Sequence, residues 1–282
     1  MKLTKPAKLT KLAAIFPGLI FAACSAPPPL PPPQIIALPS RVDPGQGIDL
    51  ATDASDVLNE LQASRLEFVA RYYRTPESRW PPLSASEAQR LSALGLKIVA
   101  VWEAHSRDPA HFSYFYGYND AMMAYLQARA VGQPAGSAIY FAVDFNAPRG
   151  TLAAIDDYFR GVAAGFAAAS GGHPDYMIGV YGSGAVCDDV KRTGLARYSW
   201  LSNSFAWIDS TGYEDWNIRQ GSRSPDLSFN HDSDEAKEEY GAFQLANSGV
   251  AASDNPVGPR AFAAPQGSQD GQPLVSAITS AR

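Results

Sequence analysis

Three carboxylates in this sequence stand inside or at the ends of short apolar runs. Asp144 follows Ile139-Tyr140-Phe141-Ala142-Val143, Glu103 ends the run at 96–103 (LKIVAVWE), and Asp49 lies within Gly47-Ile48-Asp49-Leu50-Ala51. Burying an unpaired carboxylate among apolar neighbours is costly, so each needs a structural or a chemical reason to be there. Tyr73 or its neighbour Tyr72, then Tyr181, Trp200, Gln220 and Asp232, fall at or near the ends of other runs. Several acids gathered with aromatic side chains are what glycoside hydrolysis requires. One carboxylic acid protonates the leaving oxygen, a second carboxylate stabilises or attacks the developing oxocarbenium centre, and their separation sets the stereochemical course. Burial and nearby like charges keep one acid protonated near neutral pH, and aromatic faces give sugar rings a flat platform. On this reading Asp144 is the general acid, Asp49 or Glu103 the stabilising carboxylate and Tyr181 an orienting hydroxyl. Tyr73, Trp200, Gln220 and Asp232 contribute to substrate binding.

Each of these residues also has a plainer use. A strand-end Asp is commonly a helix N-cap, and Tyr181 and Trp200 suit packing. Asp232 sits in the polar cluster Asn230-His231-Asp232-Ser233-Asp234, where solvation alone accounts for it, and His231 there reads as a surface residue.

The acids meet only if the chain brings strand ends together, and its pattern says that it does. Strands are expected at 47–51, 67–73, 96–103, 137–144 and 177–181, each followed by a helical pattern. Helices are expected over 53–64, over a segment opened by the capping box Ser84-Ala85-Ser86-Glu87, from Asp108-Pro109 to Ala130, over 151–170 and over 183–194. Continuous apolar runs suit strands covered on both faces, as in a parallel sheet. Weaker strands are expected at 198–201, 216–220 and 240–245, with few helices between them. Five βα repeats plus three weaker strands give an α/β fold, a TIM-like (β/α)8 barrel with a degenerate C-terminal third. An open doubly wound sheet is the alternative, although no GxGxxG follows the first strand.

The two ends read differently. Residues 1–23 resemble a lipoprotein signal peptide, with Lys2, Lys5, Lys8 and Lys11 before a short apolar stretch that is too short to span a membrane. Phe21-Ala22-Ala23-Cys24 resembles a lipobox, which makes Cys24 the lipidation site and the domain an exported one held to a membrane of the cell envelope by its N-terminal lipid. An ordinary secretory signal cut near Ala23 or Ala26 is the alternative. Residues 24–44 are a proline-rich linker, stiff and extended, which a proline-binding partner is also able to read. The barrel domain takes 45–246, and the Gly, Ala, Ser and Pro-rich 247–282 reads as a disordered tail. Without its signal the chain has 19 basic against 28 acidic residues, a formal charge of −9, which argues against nucleic acid as a partner. There are two cysteines, and no spacing that marks a metal site; no metal or cofactor is expected.

GIDLA at 47–51, ARYY at 70–73, VAVWE at 99–103, IYFAVDF at 139–145 and GVYG at 179–182, in that order, resemble the bacterial exported glycoside-hydrolase-like domain, a family of unknown function. That family in turn resembles the family 25 glycoside hydrolases, muramidases that cut peptidoglycan glycan strands. The resemblance spans about residues 45 to 246 and implies a TIM-like barrel with a glycan-sized groove. It matches Asp49 to the acid on the muramidases' first strand, and Asp144 to their fourth-strand pair, spaced Asp-x-Glu. In either register one member of that pair is missing, because Ala142 or Asn146 stands in its place. Asn146 is unable to act as a general acid but suits a hydrogen bond to an acetamido group. Two functions follow. One is a cell-envelope glycoside hydrolase acting on peptidoglycan or a related polysaccharide; the other is a glycan-binding module that has lost the chemistry.

Overall fold

Side chains two residues apart along a strand share a face, and the apolar runs of this chain bury both faces. In the computed structural model, which describes residues 45–173, 175–221 and 225–246, they do so as the staves of a closed barrel. Around its wall, in sequence order, run β1 (Gln46–Asp49), β2 (Phe68–Tyr73), β3 (Lys97–Trp102), β4 (Ala138–Ala142), β5 (Met177–Gly182), β6 (Tyr198–Leu201), β7 (Ile218–Gln220) and β8 (Asp232–Ala236). β1 to β7 are parallel. β8 runs antiparallel to both its neighbours, β7 and β1. α1 (Leu58–Ala63), α2 (Ala85–Ala93), α3 (Tyr114–Val131), α4 (Leu152–Ala169) and α5 (Gly184–Arg192) follow the first five strands in turn. Among the described residues no helix separates β6, β7 and β8, and this is the degenerate third of a TIM-like barrel. The signal segment, Cys24, the proline-rich linker and the C-terminal tail lie outside the described residues. No helix among the described residues is long and apolar enough to cross a membrane.

Two buried layers follow from the alternation. Phe68 and Ala70, Val99 and Val101, Tyr140, Trp200 and Ile218 fill the barrel. Their neighbours Val69, Tyr73, Ile98, Ala100, Trp102 and Phe141 face the helices. Each fully buried side chain of this size contributes roughly 1.5–3 kcal/mol over leaving it in water. α3 and α4 approach closely because Gly117 and Gly161 face the Tyr158 and Tyr114 carbonyl oxygens, where a Cβ would collide.

Two expectations need correction. The eighth strand is Asp232–Ala236, not 240–245. Its inner face carries Asp232 and Asp234 ahead of Ala236, so its sequence lacks the apolar run of a buried strand. The apolar 240–245 instead crosses beneath the barrel. Phe243 exchanges backbone hydrogen bonds with Ile98 at the start of β3, and Gly241 accepts from Ala138 at the start of β4. Tyr240 plugs the floor, its ring centroid 5.1 Å from that of Phe68.

The second correction concerns the capping box. Ser84 caps α2 by accepting from the Glu87 N–H at 3.1 Å, but Glu87 does not reach back. Its carboxylate is fully buried and ion-paired with Arg71, which is equally buried. Arg71 also donates to the Leu50 carbonyl at 2.7 Å, and Glu87 accepts from the Ala54 N–H at 2.8 Å. The pair thereby ties down the segment just beyond Asp49.

Candidate functional site

The two-residue period decides which strand-end groups face inward. Glu103 follows Val99 and Val101 by twos, and Asp144 follows Tyr140 and Ala142, so both continue the barrel-filling face. Asp49 lies directly across the ladder from Asp232. Parallel β1 to β7 open their C-terminal ends into one mouth, and antiparallel β8 brings its first residue to the same place. There a cavity of about 330 Å³, lined by Tyr72, Glu103, Asp144, Tyr181, Trp200 and Trp207 among others, adjoins an open cleft of about 800 Å³. Asp49, Arg79 and Trp80 line the cleft, while Tyr72, Glu103, Arg107 and Asp232 line both.

Asp49 is held from two sides. The Tyr72 hydroxyl donates to its Oδ1 at 2.7 Å and the Gln220 Nε2 donates to its Oδ2 at 2.8 Å. Gln220 is itself oriented, because its Oε1 accepts from the Tyr181 hydroxyl at 3.0 Å. Burial, as the largest cause, lifts the Asp49 carboxyl to about 6; the Tyr72 and Gln220 hydrogen bonds oppose this rise, and the charges of Asp232 and Glu103 add to it. Burial also pushes the Tyr72 and Tyr181 hydroxyls well above the usual phenol range, with nearby acids adding, so both remain donors.

Behind Asp49 stands Asp234, two residues along β8 from Asp232 and therefore on the same face. It is fully buried. The Trp200 indole N–H donates to its Oδ1 at 3.0 Å, but among the described residues no donor reaches Oδ2. Burial, foremost, and the adjacent Asp49 push Asp234 well above the usual carboxylate range. A buried carboxyl oxygen that no donor reaches is accommodated by carrying the proton itself. Asp49 and Asp234 thus form a proton-holding pair in the wall of the mouth.

The other two acids meet cations. Glu103 Oε2 lies 3.1 Å from the Arg74 guanidinium, and its Oε1 accepts from the Ser106 hydroxyl at 3.3 Å. Arg74 also stacks over the Tyr72 ring, 4.2 Å from its centroid. Asp144 pairs with Arg107, and its backbone N–H donates to the Ser106 carbonyl at 2.8 Å. No group of three or more His, Cys, Asp or Glu among the described residues is arranged to hold a metal ion.

Of the residues expected in the site, Asp49, Glu103, Asp144, Tyr181, Trp200, Gln220 and Asp232 come together at the mouth. Two do not. Tyr73 points outward by the strand period, is fully buried under the helices, and donates to Gln133 Oε1 at 2.7 Å; Tyr72 takes the inward place. Asn146 lies past the strand end and lines none of the mouth cavities; its Oδ1 accepts from the Ile208 N–H at 2.9 Å and fastens the loop that carries Trp207. Trp200 is 1% exposed, packed edge-on to Tyr140 and Tyr181, and forms the floor. Asp234, Arg74, Arg107, Trp80 and Trp207 were not legible as site residues. The spacing Asp232-Ser233-Asp234 held the one available signal, since two acids two apart share a face if the segment is a strand.

Comparison with known proteins agrees with this architecture. A family model described as Rv2525c-like, glycoside hydrolase-like domain matches residues 59–250. The Tat-secreted protein Rv2525c of Mycobacterium tuberculosis shares the fold, with a TM-score of 0.59 at 24% identity over 70% of this chain and 98% of that one. Two uncharacterized proteins of Bacillus subtilis (strain 168) are similar in sequence. YbfG is 33% identical over 123 residues, 42% of this chain and 17% of YbfG. FadG is 28% identical over 166 residues, 56% of this chain and 28% of FadG. This chain therefore spans less than a third of the length of either curated relative. The family match takes in most of the barrel and more than half of the sequence: the chain belongs to the Rv2525c-like, glycoside hydrolase-like domain family.

Proposed function

We propose that the mouth is a glycan site at which Asp49 delivers a proton to a glycosidic oxygen, in a cell-envelope glycoside hydrolase whose substrate is peptidoglycan or a related polysaccharide. The observation that carries this reading is the Asp49–Asp234 pair. It keeps a proton on a carboxyl near neutral pH at the wall of an open cleft. Asp144 and Glu103, each matched by an arginine, are the carboxylates that line the cavity beside the cleft. One of them stabilises the developing positive charge at the anomeric carbon once the leaving oxygen has taken its proton. This exchanges the roles expected from the sequence, in which Asp144 was the acid. Trp80 and Trp207, one in the cleft and one in the cavity, give sugar rings flat faces. Export is in keeping with the signal-like N-terminus and with the secretion of Rv2525c.

One observation favours a second reading, a glycan-binding module. Both Asp144 and Glu103 are already occupied by guanidinium groups, so neither is a bare carboxylate. The deciding experiment is release of new reducing ends from purified peptidoglycan by the full chain. The catalytic reading expects release by the wild type and a loss of roughly 10²-fold or more in Asp49→Asn and Asp144→Asn. Binding without release supports the module. Absence of both binding and release, on peptidoglycan and on other envelope polysaccharides, overturns the glycan site.

A further inference from the structure

Among the described residues three arginines reach the mouth, and they are not equivalent. Arg74 is 8% exposed and is held between Glu103 and the Tyr72 ring. The Arg107 side chain is 81% exposed. It lines the cavity, the cleft and a third hollow of about 460 Å³ beside His105, so it stands where the three spaces meet. Its base is anchored. The Asp108 N–H closes a turn on the His105 carbonyl at 2.9 Å, His105 takes a left-handed φ of 51°, and the buried Ser106 is tied to the end of β4 through the Asp144 N–H. From that fixed turn the guanidinium reaches Asp144 by its Nε alone. Its terminal nitrogens are left to solvent. Arg79 stands farther out, its guanidinium 5.1 Å from the Trp80 ring centroid, with no acidic partner among the described residues.

We infer that the mouth reads an anionic group on its glycan, a carboxylate or a phosphate, through the free edge of Arg107 with Arg79 beside it. The inference rests on the glycan reading above. A planar guanidinium whose Nε is engaged keeps its Nη1/Nη2 edge, and that edge matches either oxyanion in bidentate fashion. The acids nearest it are already paired. Glu103 is matched by Arg74 and Asp144 by Arg107, and a proton held by the Asp49–Asp234 pair leaves that pair one negative charge rather than two. Among the described residues this charge and Asp232 are the acids of the cleft without a cation, and Arg79 is a cation of the cleft without an acid. The Trp80 ring next to Arg79 places a sugar face and a positive charge side by side.

The test is calorimetric binding to the full chain of matched glycans that differ in one anionic group. The probes are a muramic-acid-containing oligosaccharide with free lactyl carboxylates, its methyl ester, chitotetraose, and chitotetraose bearing a single 6-phosphate. At low salt the anionic member of a pair is expected to bind about tenfold more tightly, as one charge-assisted hydrogen-bonded contact provides. Added salt narrows that gap. Whichever pair shows the gap tells carboxylate from phosphate. Arg107→Gln abolishes it and Arg79→Gln reduces it, while melting temperatures confirm that both variants are folded. Equal binding of anionic and neutral partners, unchanged in Arg107→Gln, overturns this inference and leaves the glycan site standing. Binding of none of the four overturns both.

Discussion

Replacing Asp49 by asparagine tests whether the mouth holds a proton, independently of any substrate. Asp49 is 5% exposed and its carboxyl is lifted from 3.8 to about 6. At 1.36 kcal/mol for each pH unit, the folded protein favours the protonated form by about 3 kcal/mol more than the unfolded chain does. Below about pH 3.8 the group is protonated in both states and this stabilisation is fully present. It is lost as pH rises through 6, where the buried carboxyl must ionise. The substituted carboxamide does not titrate, and it keeps the network intact. Its oxygen accepts from Tyr72, and a turned-over Gln220 amide accepts from its NH₂ while donating to the Tyr181 oxygen. Wild type should therefore lose about 3 kcal/mol relative to Asp49→Asn between pH 4 and pH 7.5. For a domain of this size that is a relative fall of roughly 6–12 °C in melting temperature. Thermal unfolding followed by near-UV circular dichroism at half-unit pH steps measures it. A difference between the two proteins that stays flat from pH 4 to 7.5 would refute the proton-holding pair and, with it, Asp49 as proton donor.

Other outcomes are open to simpler measurements. Tyr72→Phe removes a hydrogen bond that favours ionised Asp49, so the fall in that same difference should become larger and continue to a pH above 6. Tyr73→Phe, which points away, should cost about 1 kcal/mol in urea unfolding and leave the size and pH range of that fall unchanged. Glu87→Ala strands the buried Arg71 charge and should destabilise by about 3–5 kcal/mol, seen as a lower urea midpoint at unchanged slope. Burial pushes the Cys187 thiol up to about 12, so peptide mapping after alkylation at pH 8 should find it unmodified in the native protein and labelled in urea.

The barrel was legible because its parallel strands are buried on both faces, and such runs are conspicuous in a sequence: β2, β3, β5 and β6 stand within a residue of where periodicity puts them. β8 was not, since a strand whose inner face is acidic looks like a solvated loop, and the apolar 240–245 offered a false substitute. The same blindness hid Asp234, half of the pair that sets the proton affinity of Asp49. Choosing between Tyr72 and Tyr73 needed the register relative to Ala70, which adjacent tyrosines alone do not supply. Asp49, Glu103 and Asp144 were found because each interrupts or ends an apolar run. Arg74 and Arg107 belong to loops, where a basic residue is unremarkable until the fold brings it to an acid. Salt bridges across 29 and 37 positions leave no local trace.

The crossing of residues 240–245 beneath the barrel has a consequence for how the domain is presented. Gly45 enters at the start of β1, and Leu245 leaves beside α2, its N–H bonded to the Ser92 hydroxyl at 3.0 Å. Both lie on the side where parallel strands begin, opposite the mouth. An attachment made directly at Gly45 or just after Leu245 is therefore on the face opposite the acids and the tryptophans, and it leaves the cleft open to a polymer as large as a glycan mesh. A graft at the loops around Arg79 or Trp207 would turn the same cleft toward the support.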